Sequence, residues 1–459
     1  MAGPRKNVKS RSGLGIRTFF ILQMNSATYF RLVRYPGILL AIIFPLSLVA
    51  QPRTDPLVKE LLMDNRDSLL QHVLRHPESY KLQFIYTQIN RDSRNQPSLT
   101  NYYYQVDSLQ YFNPASTVKL PLAVLSLEKL HSLEKYGISM YTAMQIDSSY
   151  SGQRAMLRDS TSENGFPSIA HFIKKVFLIS DNVAYNRMYE FVGQESINRR
   201  FHEMGYPDFR ITRRFLKMNE DENRHTNSIR FIAADGKLLH RQPAAFNTNK
   251  FNFTNINKMG EAHYANDSLI QSPIDFSTAN NVTLYHLQQC MQAILFPESM
   301  PYTKRFRLNE EDYEFIYRYL SQYPSETDYP KYDTTIYFDS YIKFFFKSGG
   351  KKIPEHIRVF NKTGWAYGCM TDVSYIVDFR NRIEFMLTAT IYVNSDGVMN
   401  DDKYDYDTVG LPALYQLGQH FYKYELRRSR KYQPDLSRFE MKYTKQKSDE
   451  RATIKEADN

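Results

Sequence analysis

A serine and a lysine three positions apart are the residues of this chain best suited to covalent chemistry. Ser116 and Lys119 lie in the run Phe112–Pro121, where a helix is expected to begin. At that spacing on a helix, the hydroxyl and the amine share one face. Serine becomes a nucleophile when a base takes its proton, and a lysine whose pKa is lowered can be that base. The spacing therefore indicates a nucleophilic serine, Ser116, with Lys119 as its base.

Two triplets farther along the chain carry further groups that acyl transfer needs. The first, Ser180–Asn182, offers a second hydroxyl and a side-chain amide. The second is Lys362, Thr363 and Gly364. A lysine beside a hydroxyl suits a carboxylate, and a glycine lets a substrate approach the backbone closely. If Ser116 begins a helix, its backbone N–H also lies at the positive end of the helix dipole, where an oxyanion is stabilised.

The order of the three motifs is itself informative. S-x-x-K, S-D-N and K-T-G, in that order, are the signature of class A β-lactamases and penicillin-binding proteins. The chain therefore resembles the penicillin-recognising serine hydrolases, a β-lactamase/transpeptidase-like family. Residues 180–186 also fit the longer family pattern S-D-N-x-A-x-N. The resemblance spans roughly Phe84 to Tyr424 and implies an acyl-enzyme on Ser116 without a cofactor.

The resemblance also implies roles for individual residues. Ser180 would relay a proton to the leaving nitrogen. Asn182 would orient the substrate amide and contact Lys119. The backbone N–H groups of Ser116 and Trp365, the residue after K-T-G, would form the oxyanion hole.

The segment after S-D-N departs from the family at one residue. Class A β-lactamases carry E-x-x-x-N there, and its glutamate activates the water that clears the acyl-enzyme. Asn219 matches the asparagine, but Phe215 occupies the glutamate position. Glu220, Asp221 or Glu222 could substitute only in a differently shaped loop.

The resemblance therefore predicts acylation by β-lactams or D-Ala-D-Ala-like amides, without predicting efficient β-lactamase turnover. The alternatives are a DD-peptidase or penicillin-binding-like enzyme, and an envelope protein that binds without turnover. In each case the expected partner is a small molecule or a cell-wall peptide.

The elements that must position these motifs lie in a distinctive order. Strand patterns at 81–106 and 356–393 enclose a helical stretch, and an amphipathic helix is expected over Pro56–Arg75. We therefore expect an α+β fold, with an antiparallel sheet built from both ends of the chain. Helices should flank the sheet, with a helical lobe inserted between its halves. This layout agrees with the fold that the resemblance implies.

Domain boundaries follow from composition and from the family match. We expect one hydrolase domain over 51–426, with an insertion at about 224–275. Residues 427–459 are charged and poor in aliphatic clusters, which predicts a mobile tail. The segment Tyr329–Phe346 is crowded with aromatic residues, which we interpret as core packing, with the wall of a cleft as the alternative.

Composition places the chain among ordinary globular proteins. Of its 459 residues, 42% are hydrophobic and 24% are charged, with a net charge of +10. Part of the positive charge lies near the two ends. We interpret it as an export signal and a solvated tail rather than a nucleic-acid surface, because no RNA- or DNA-binding motif is present.

The N-terminus has the pattern of a targeting segment. Arg31 and Arg34 precede an apolar run, Gly37–Ala50, that is too short for an ordinary membrane span but typical of a signal peptide. Residues 1–50 are therefore expected to be cleaved, and Met24 is an alternative start. Export to the periplasm or the medium follows. An uncleaved anchor is the competing interpretation, and it would be the only link to a membrane.

Cysteine and metal-ligand patterns are sparse. Cys290 and Cys369 are the only cysteines. Two buried, unpaired thiols are the favoured interpretation, although spacing leaves their pairing open. The sequence has no C-x-x-C, H-E-x-x-H or His/Cys cluster at ligand spacing, so it predicts no metal site.

Overall fold

A computed structural model of the chain describes residues 53–148, 152–253, 255–448 and 451–456. The predicted signal peptide, residues 1–50, lies outside these described residues. Within them, no helix combines the length and the apolar character needed to cross a bilayer.

An antiparallel sheet made from both ends of the chain forms the centre of the fold. The strands are, in chain order, β1 (Gln83–Arg91), β2 (Pro97–Tyr104), β3 (Ala143–Ile146), β4 (His225–Thr226), β5 (Ile229–Ile232), β6 (Leu238–Gln242), β7 (Ala245–Phe246), β8 (Lys258–Met259), β9 (Ala262–Ala265), β10 (Ser268–Ile270), β11 (Ile274–Asp275), β12 (Ile357–Ala366), β13 (Cys369–Asp378), β14 (Ile383–Tyr392) and β15 (Val398–Met399). The large sheet has the order β12-β13-β14-β1-β2. β1 pairs with β14, and Phe84 lies opposite Ala389. The predicted sheet is therefore confirmed.

Helices cover both faces of this sheet. They are α1 (Pro56–Met63), α2 (Ser68–Arg75), α3 (Pro77–Tyr80), α4 (Lys119–Leu130), α5 (Ile169–Ile179), α6 (Asn182–Val192), α7 (Gln194–Glu203), α8 (Glu220–Arg224), α9 (Leu284–Leu295), α10 (Glu310–Ser321), α11 (Phe344–Lys347) and α12 (Leu411–Arg427). Successive side chains of a strand point to opposite faces. On β1, Ile85 packs with α4, α5, α6 and α9, whereas Phe84 and Tyr86 pack with α1, α2 and α12. The α+β architecture with an inserted helical lobe is confirmed.

The first amphipathic segment forms two helices rather than the single helix expected over Pro56–Arg75. α1 ends at Met63, and α2 begins at Ser68. The Asp67 carboxylate accepts the backbone N–H of Leu70 at 2.8 Å. This N-cap starts a new helix, because it satisfies a backbone donor that a continuous helix would use internally.

The predicted insertion, residues 224–275, contains short strands that attach to the rest of the domain. β5 pairs with β3 and β6, which gives a three-stranded sheet. β9 pairs in parallel with β15, with Ala262 opposite Val398. The segment is therefore tied to both halves of the chain.

The described residues after α12 lie against the domain, which differs from the mobile tail expected for 427–459. Phe439 is buried, and its ring centre lies 4.9 Å from that of Tyr375. Near the end of the chain, Ile454 forms a parallel bridge with Tyr332. The high charge of this segment masked the few apolar residues that attach it to the core.

Both cysteines are free, buried thiols, which confirms the favoured interpretation. Cys290 lies on α9 and Cys369 begins β13. Burial raises the pKa of each thiol to about 12, so both are protonated at neutral pH.

Candidate active site

The S-x-x-K motif forms a tight turn that leads into a helix. Ala115–Val118 is a 3₁₀ turn, and α4 follows directly from Lys119. Ala115 has a φ of +43°, a left-handed conformation that is uncommon for a residue with a side chain. Asn113 Oδ1 accepts the Ala115 N–H at 2.9 Å and so holds this conformation. Ser116 follows immediately and is half-buried.

β12 lies directly against this turn. A Cβ atom added to Gly364 would lie 2.7 Å from Pro114 O and 2.7 Å from Ser116 N. Glycine is therefore required for the approach of the two backbones. The next residue, Trp365, lines the same cavity as Ser116. The fold thus brings the first and third motifs together.

The S-D-N motif forms the corner between α5 and α6. Ser180 ends α5 in the left-handed region, with a φ of +67°. Asp181 begins α6 by accepting the N–H of Ala184 at 2.7 Å, and its carboxylate is 3.4 Å from the Lys175 ammonium. The helix cap and the ion pair fix the backbone on either side of Asp181, including Asn182.

The buried Lys119 amine links the first and second motifs. Lys119 Nζ donates to Ser180 O at 2.5 Å and to Asn182 Oδ1 at 2.6 Å, and it lies 3.3 Å from Ser180 Oγ. Among the contacts of the described residues, no hydrogen bond joins Lys119 to the Ser116 hydroxyl one turn earlier. Burial lowers the pKa of Lys119 to about 7, although the Asp181 carboxylate acts to raise it. Lys119 therefore has a substantial neutral fraction at neutral pH.

The K-T-G lysine reaches the same hydroxyl. Lys362 Nζ donates to Ser180 Oγ at 2.8 Å and to Thr363 O at 2.7 Å. Burial, together with the nearby charge of Lys119, lowers the pKa of Lys362 well below its ordinary value. Ser180 Oγ thus lies between two buried amines, and all three motifs converge at this point.

A buried polar network supports β12 beside the K-T-G motif. Lys343 Nζ donates to Asn361 Oδ1 at 2.6 Å, and Asn361 Nδ2 donates to Asp372 Oδ1 at 2.9 Å. Burial raises the pKa of Asp372 to about 6 and lowers the pKa of Lys343 to about 7. On the same strand, Thr363 Oγ1 is fully buried and has no hydrogen-bond partner in the described part of the chain.

A cavity of about 380 Å³ lies over the two serines. Its lining consists of Ala115, Ser116, Ile179, Ser180, Asn182, Phe215, Tyr337, Tyr341, Trp365 and Ala366. The side chains of Lys362 and Thr363 are fully buried and are not part of this lining. Tyr337 and Tyr341 come from the aromatic segment for which a cleft wall was the alternative interpretation. No motif marks these two tyrosines, and the density of aromatic residues is the only signal in the sequence.

Phe215 lies in the cavity beside Lys119. Its ring centre is 4.8 Å from Lys119 Nζ and 4.5 Å from the ring centre of Tyr185. Asn186, the last residue of the S-D-N-x-A-x-N pattern, accepts the Phe215 N–H at 2.8 Å. A side-chain amide therefore holds the backbone of the residue that aligns with the family glutamate.

The acidic residues that follow Phe215 make contacts outside the cavity. Asn219 Oδ1 accepts the Glu222 N–H at 2.8 Å, and Glu222 Oε2 accepts the Asn219 N–H at 2.7 Å, which forms a capping box for α8. Glu220 pairs with Arg224 at 2.8 Å. Of the predicted deacylation region, Phe215 alone is among the residues that line the cavity.

Comparisons with known proteins give a family match and several similar solved structures. Residues 72–242 match the family described as the β-lactamase enzyme family. A β-lactamase from Francisella tularensis is 14% identical, with 78% of this chain and 100% of that chain covered and a TM-score of 0.43. A β-lactamase from Sphaerobacter thermophilus is 13% identical, with 78% and 97% covered and a TM-score of 0.41. A PBP-A variant, solved as an acyl-enzyme complex with penicillin G, is 13% identical, with 81% and 99% covered and a TM-score of 0.43.

No curated protein matches the sequence. The family match covers S-x-x-K and S-D-N, and β12 carries K-T-G to the same place. The resemblance predicted from the three motifs is therefore confirmed, with the family match lying over residues 72–242.

Proposed function

We propose that this chain is an active-site serine hydrolase that forms an acyl-enzyme on Ser116. The observation that carries the proposal is the position of Ser180 Oγ between the amines of Lys119 and Lys362. Ser180 and Ser116 line one cavity, so a substrate held there can meet both hydroxyls. The family match of residues 72–242 supports this reaction class.

Lys119 is suited to act as the base in its neutral form. A neutral amine has two N–H groups and one lone pair. The two shortest contacts of Lys119, with Ser180 O and Asn182 Oδ1, use the two N–H groups. The lone pair is then free for the proton of Ser116, one helical turn away. Catalytic hydrogen bonds often tighten only when substrate binds, which fits the open Ser116 hydroxyl.

Acylation follows from these positions. Ser116 Oγ attacks the carbonyl carbon of an amide or a β-lactam, and its proton moves to Lys119. The backbone N–H groups of Ser116 and Trp365 stabilise the oxyanion. The C–N bond then breaks as Ser180 gives its proton to the leaving nitrogen, and Lys119 returns a proton to Ser180. The products are an ester on Ser116 and a free amine.

The substrate is expected to carry a carboxylate near the reacting amide. Lys362 and Thr363 are the groups proposed to attract it, and a carboxylate close to Lys362 would raise the pKa of that lysine and restore its charge. β-Lactams and D-Ala-D-Ala-like cell-wall peptides both have this arrangement. The proposed reaction uses no metal and no cofactor.

Phe215 is compatible with acylation of Ser116, but it lacks the base that hydrolysis of the acyl-enzyme would use. A phenyl ring cannot take a proton from the attacking water, and general-base assistance is typically worth a factor of about 10²–10⁴. The acyl-enzyme should therefore be long-lived. This favours a DD-peptidase or penicillin-binding-like enzyme over an efficient β-lactamase. Phe215 also motivates the second candidate function, an envelope protein that binds without turnover.

Intact-mass spectrometry with penicillin G tests the proposal. We expect one adduct of penicilloyl mass on Ser116, located by peptide mapping. The adduct should be absent from Ser116→Ala and lost from Lys119→Ala, while both variants keep the wild-type circular dichroism spectrum. A wild-type protein that forms no adduct with penicillin G or with a cephalosporin contradicts the proposal. Steady hydrolysis of nitrocefin would exclude the candidate that binds without turnover.

We also propose that the chain is exported, to the periplasm or the medium. The support is the basic residues followed by the apolar run Gly37–Ala50. The mass of the protein purified from its own cells should correspond to a start at Gln51. A mature protein that retains the apolar run would contradict cleavage and would favour a membrane anchor.

A further inference from the structure

Four of the ten residues that line the active-site cavity are aromatic: Phe215, Tyr337, Tyr341 and Trp365. The polar lining residues are Ser116, Ser180 and Asn182, which belong to the motifs. The proposed acyl transfer accounts for the polar groups. It does not account for the four rings, which we call the aromatic wall.

Two rings of the wall come from the chain segment between α10 and β12. Tyr337 and Tyr341 are four positions apart in the chain, and their ring centres lie 5.1 Å apart in an edge-to-face arrangement. Tyr332, behind them, contacts Tyr337 at 5.4 Å between ring centres. Tyr337 is buried, whereas Tyr341 and Trp365 are half-buried. Phe215 is also half-buried, so three rings of the wall retain surface that a ligand can cover.

A lysine holds two parts of the wall in place. Lys347 Nζ lies 4.9 Å from the ring centre of Tyr341 and 5.9 Å from that of Trp365. A cation near two ring faces attracts both rings. Phe344 supports Trp365 from the protein side, with 5.6 Å between ring centres. The wall is therefore formed before a ligand arrives, which lowers the entropic cost of binding.

We infer that the acyl donor of this protein carries an aromatic or bulky apolar substituent besides its carboxylate. This inference rests on the proposed function. A cavity that combines a few polar groups with aromatic rings binds ligands of the same mixed character. A substrate with only methyl side groups would leave the exposed faces of Tyr341 and Trp365 in contact with water.

The experiment compares two penicillins that differ by one ring. Penicillin G carries a phenylacetyl side chain, and 6-acetamidopenicillanic acid keeps the same amide and carboxylate without the phenyl group. The second-order rate of Ser116 acylation is measured for each by intact-mass spectrometry. Because an aromatic contact is worth about 0.5–1.5 kcal/mol, we expect a preference for penicillin G of about two- to twelvefold.

Variants test whether the preference for penicillin G depends on the aromatic wall. Tyr341→Ala should bring the ratio of the two rates close to one while the acetamido compound still reacts, which shows an intact fold. Tyr341→Phe keeps the ring and should keep the ratio. Tyr302→Ala is the matched control, because Tyr302 is 85% exposed and lies outside this cavity. Its ratio should equal that of the wild type.

The outcomes separate this inference from the proposed function. If both penicillins acylate the wild type at equal rates, the proposed function stands and the inference is wrong. An unchanged preference in both Tyr341→Ala and Trp365→Ala would also overturn it, because the phenyl group would then be recognised away from these two rings. If neither compound acylates Ser116, the proposed function fails, and the inference fails with it.

Discussion

Ser180 couples the two buried lysines of the site. Its hydroxyl accepts from Lys362 at 2.8 Å and lies 3.3 Å from Lys119 Nζ. Each positive charge disfavours the other, and burial disfavours both. Burial lowers the pKa of Lys119 to about 7, so the protonation state of the site depends on pH near neutrality. The chemistry at Ser116 should reflect this dependence.

The first prediction concerns the pH dependence of acylation. Burial lowers the pKa of Lys119 to about 7. Only the neutral amine accepts a proton, so the acylation rate should rise as pH increases through about 7 and level off above it. The second-order rate of adduct formation, measured between about pH 5 and pH 9, checks this expectation.

Lys129 provides the control for this profile. It is another buried lysine, and burial lowers its pKa to about 8. Its amine donates to Gln242 Oε1 at 2.8 Å, and it does not line the cavity. Lys129→Met should therefore keep the wild-type profile. A wild-type rate that does not change between pH 6 and pH 8 would exclude Lys119 as the base.

The second prediction concerns Phe215. In Phe215→Glu, the backbone N–H should stay bound to Asn186, which accepts it at 2.8 Å in the wild type. The new carboxylate would replace a ring that lies 4.8 Å from Lys119 Nζ. We expect the lifetime of the penicilloyl adduct to fall by about 10²-fold, the lower end of general-base assistance. Time-resolved intact-mass spectra after removal of free penicillin measure this lifetime.

Phe215→Gln separates the base from the change in shape. Glutamine has nearly the size of glutamate but cannot accept a proton from water at neutral pH. Its adduct should stay long-lived. If Phe215→Gln and Phe215→Glu shorten the lifetime equally, the effect comes from space for water, and the assignment of a missing base is wrong.

At the scale of elements, each motif has its own local anchor. The 3₁₀ turn Ala115–Val118, here called the serine turn, is held by Asn113, which accepts the N–H of the left-handed Ala115. The S-D-N corner is held by the Asp181 cap. β12 is held by the buried pair Asn361 and Asp372. These anchors fix each element separately, so the contacts between elements determine whether the site is complete.

The third prediction concerns the contact between β12 and the serine turn. In Gly364→Ala, the new Cβ would meet Pro114 O and Ser116 N, both at 2.7 Å. Neither backbone atom can move without displacing the turn. We expect acylation to fall strongly, and the free energy of unfolding to fall by about 1–3 kcal/mol, the usual cost of overpacking. Adduct formation and urea unfolding measure the two effects.

Gly349→Ala is the matched control. Its Cβ would meet the ring of Tyr415, with the nearest atom at 2.6 Å, so a side chain rather than a backbone must move. Some stability should be lost while Ser116 still reacts at the wild-type rate. Normal acylation in Gly364→Ala would show that the close approach is not needed for the chemistry.

At the scale of the molecule, the site forms where the helical lobe meets the sheet. The lobe contributes Ser116, Lys119 and Ser180, and the sheet contributes Lys362. Because the sheet combines both ends of the chain, the site is complete only after the C-terminal strands have paired with β1. The reacting groups are thus separated by a large part of the sequence and joined by the fold.

The sequence predicted those features that have a local pattern. The strands around Phe84 and Lys362 were recognisable from apolar runs, and the motifs indicated the site. For Tyr341, a place in the cavity wall was only the alternative interpretation, because its orientation depends on packing between distant segments. The capping box of Glu222 was also missed. These hydrogen bonds engage the Glu222 carboxylate, for which the sequence alone left a catalytic role open.

The tail shows why composition alone can mislead. Most of residues 427–459 are polar, yet Ile454 packs against the buried cluster that contains Tyr332 and Tyr337, and Tyr341 packs against the same cluster. Its backbone accepts from Asp333 N at 3.0 Å and donates to Lys331 O at 2.9 Å. One apolar residue and two hydrogen bonds therefore attach the end of the chain to the aromatic segment that forms part of the cavity.

The last prediction follows from this attachment. Ile454→Ala removes most of a half-buried side chain, so the free energy of unfolding should fall by about 1 kcal/mol. Support for Tyr341 should weaken, and the preference for penicillin G over its acetamido analogue should fall with it. Urea unfolding and the two acylation rates measure these effects. Lys455→Ala, at an exposed neighbouring position, should change neither. Equal behaviour of the two variants would mean that Ile454 supports neither the fold nor the aromatic wall.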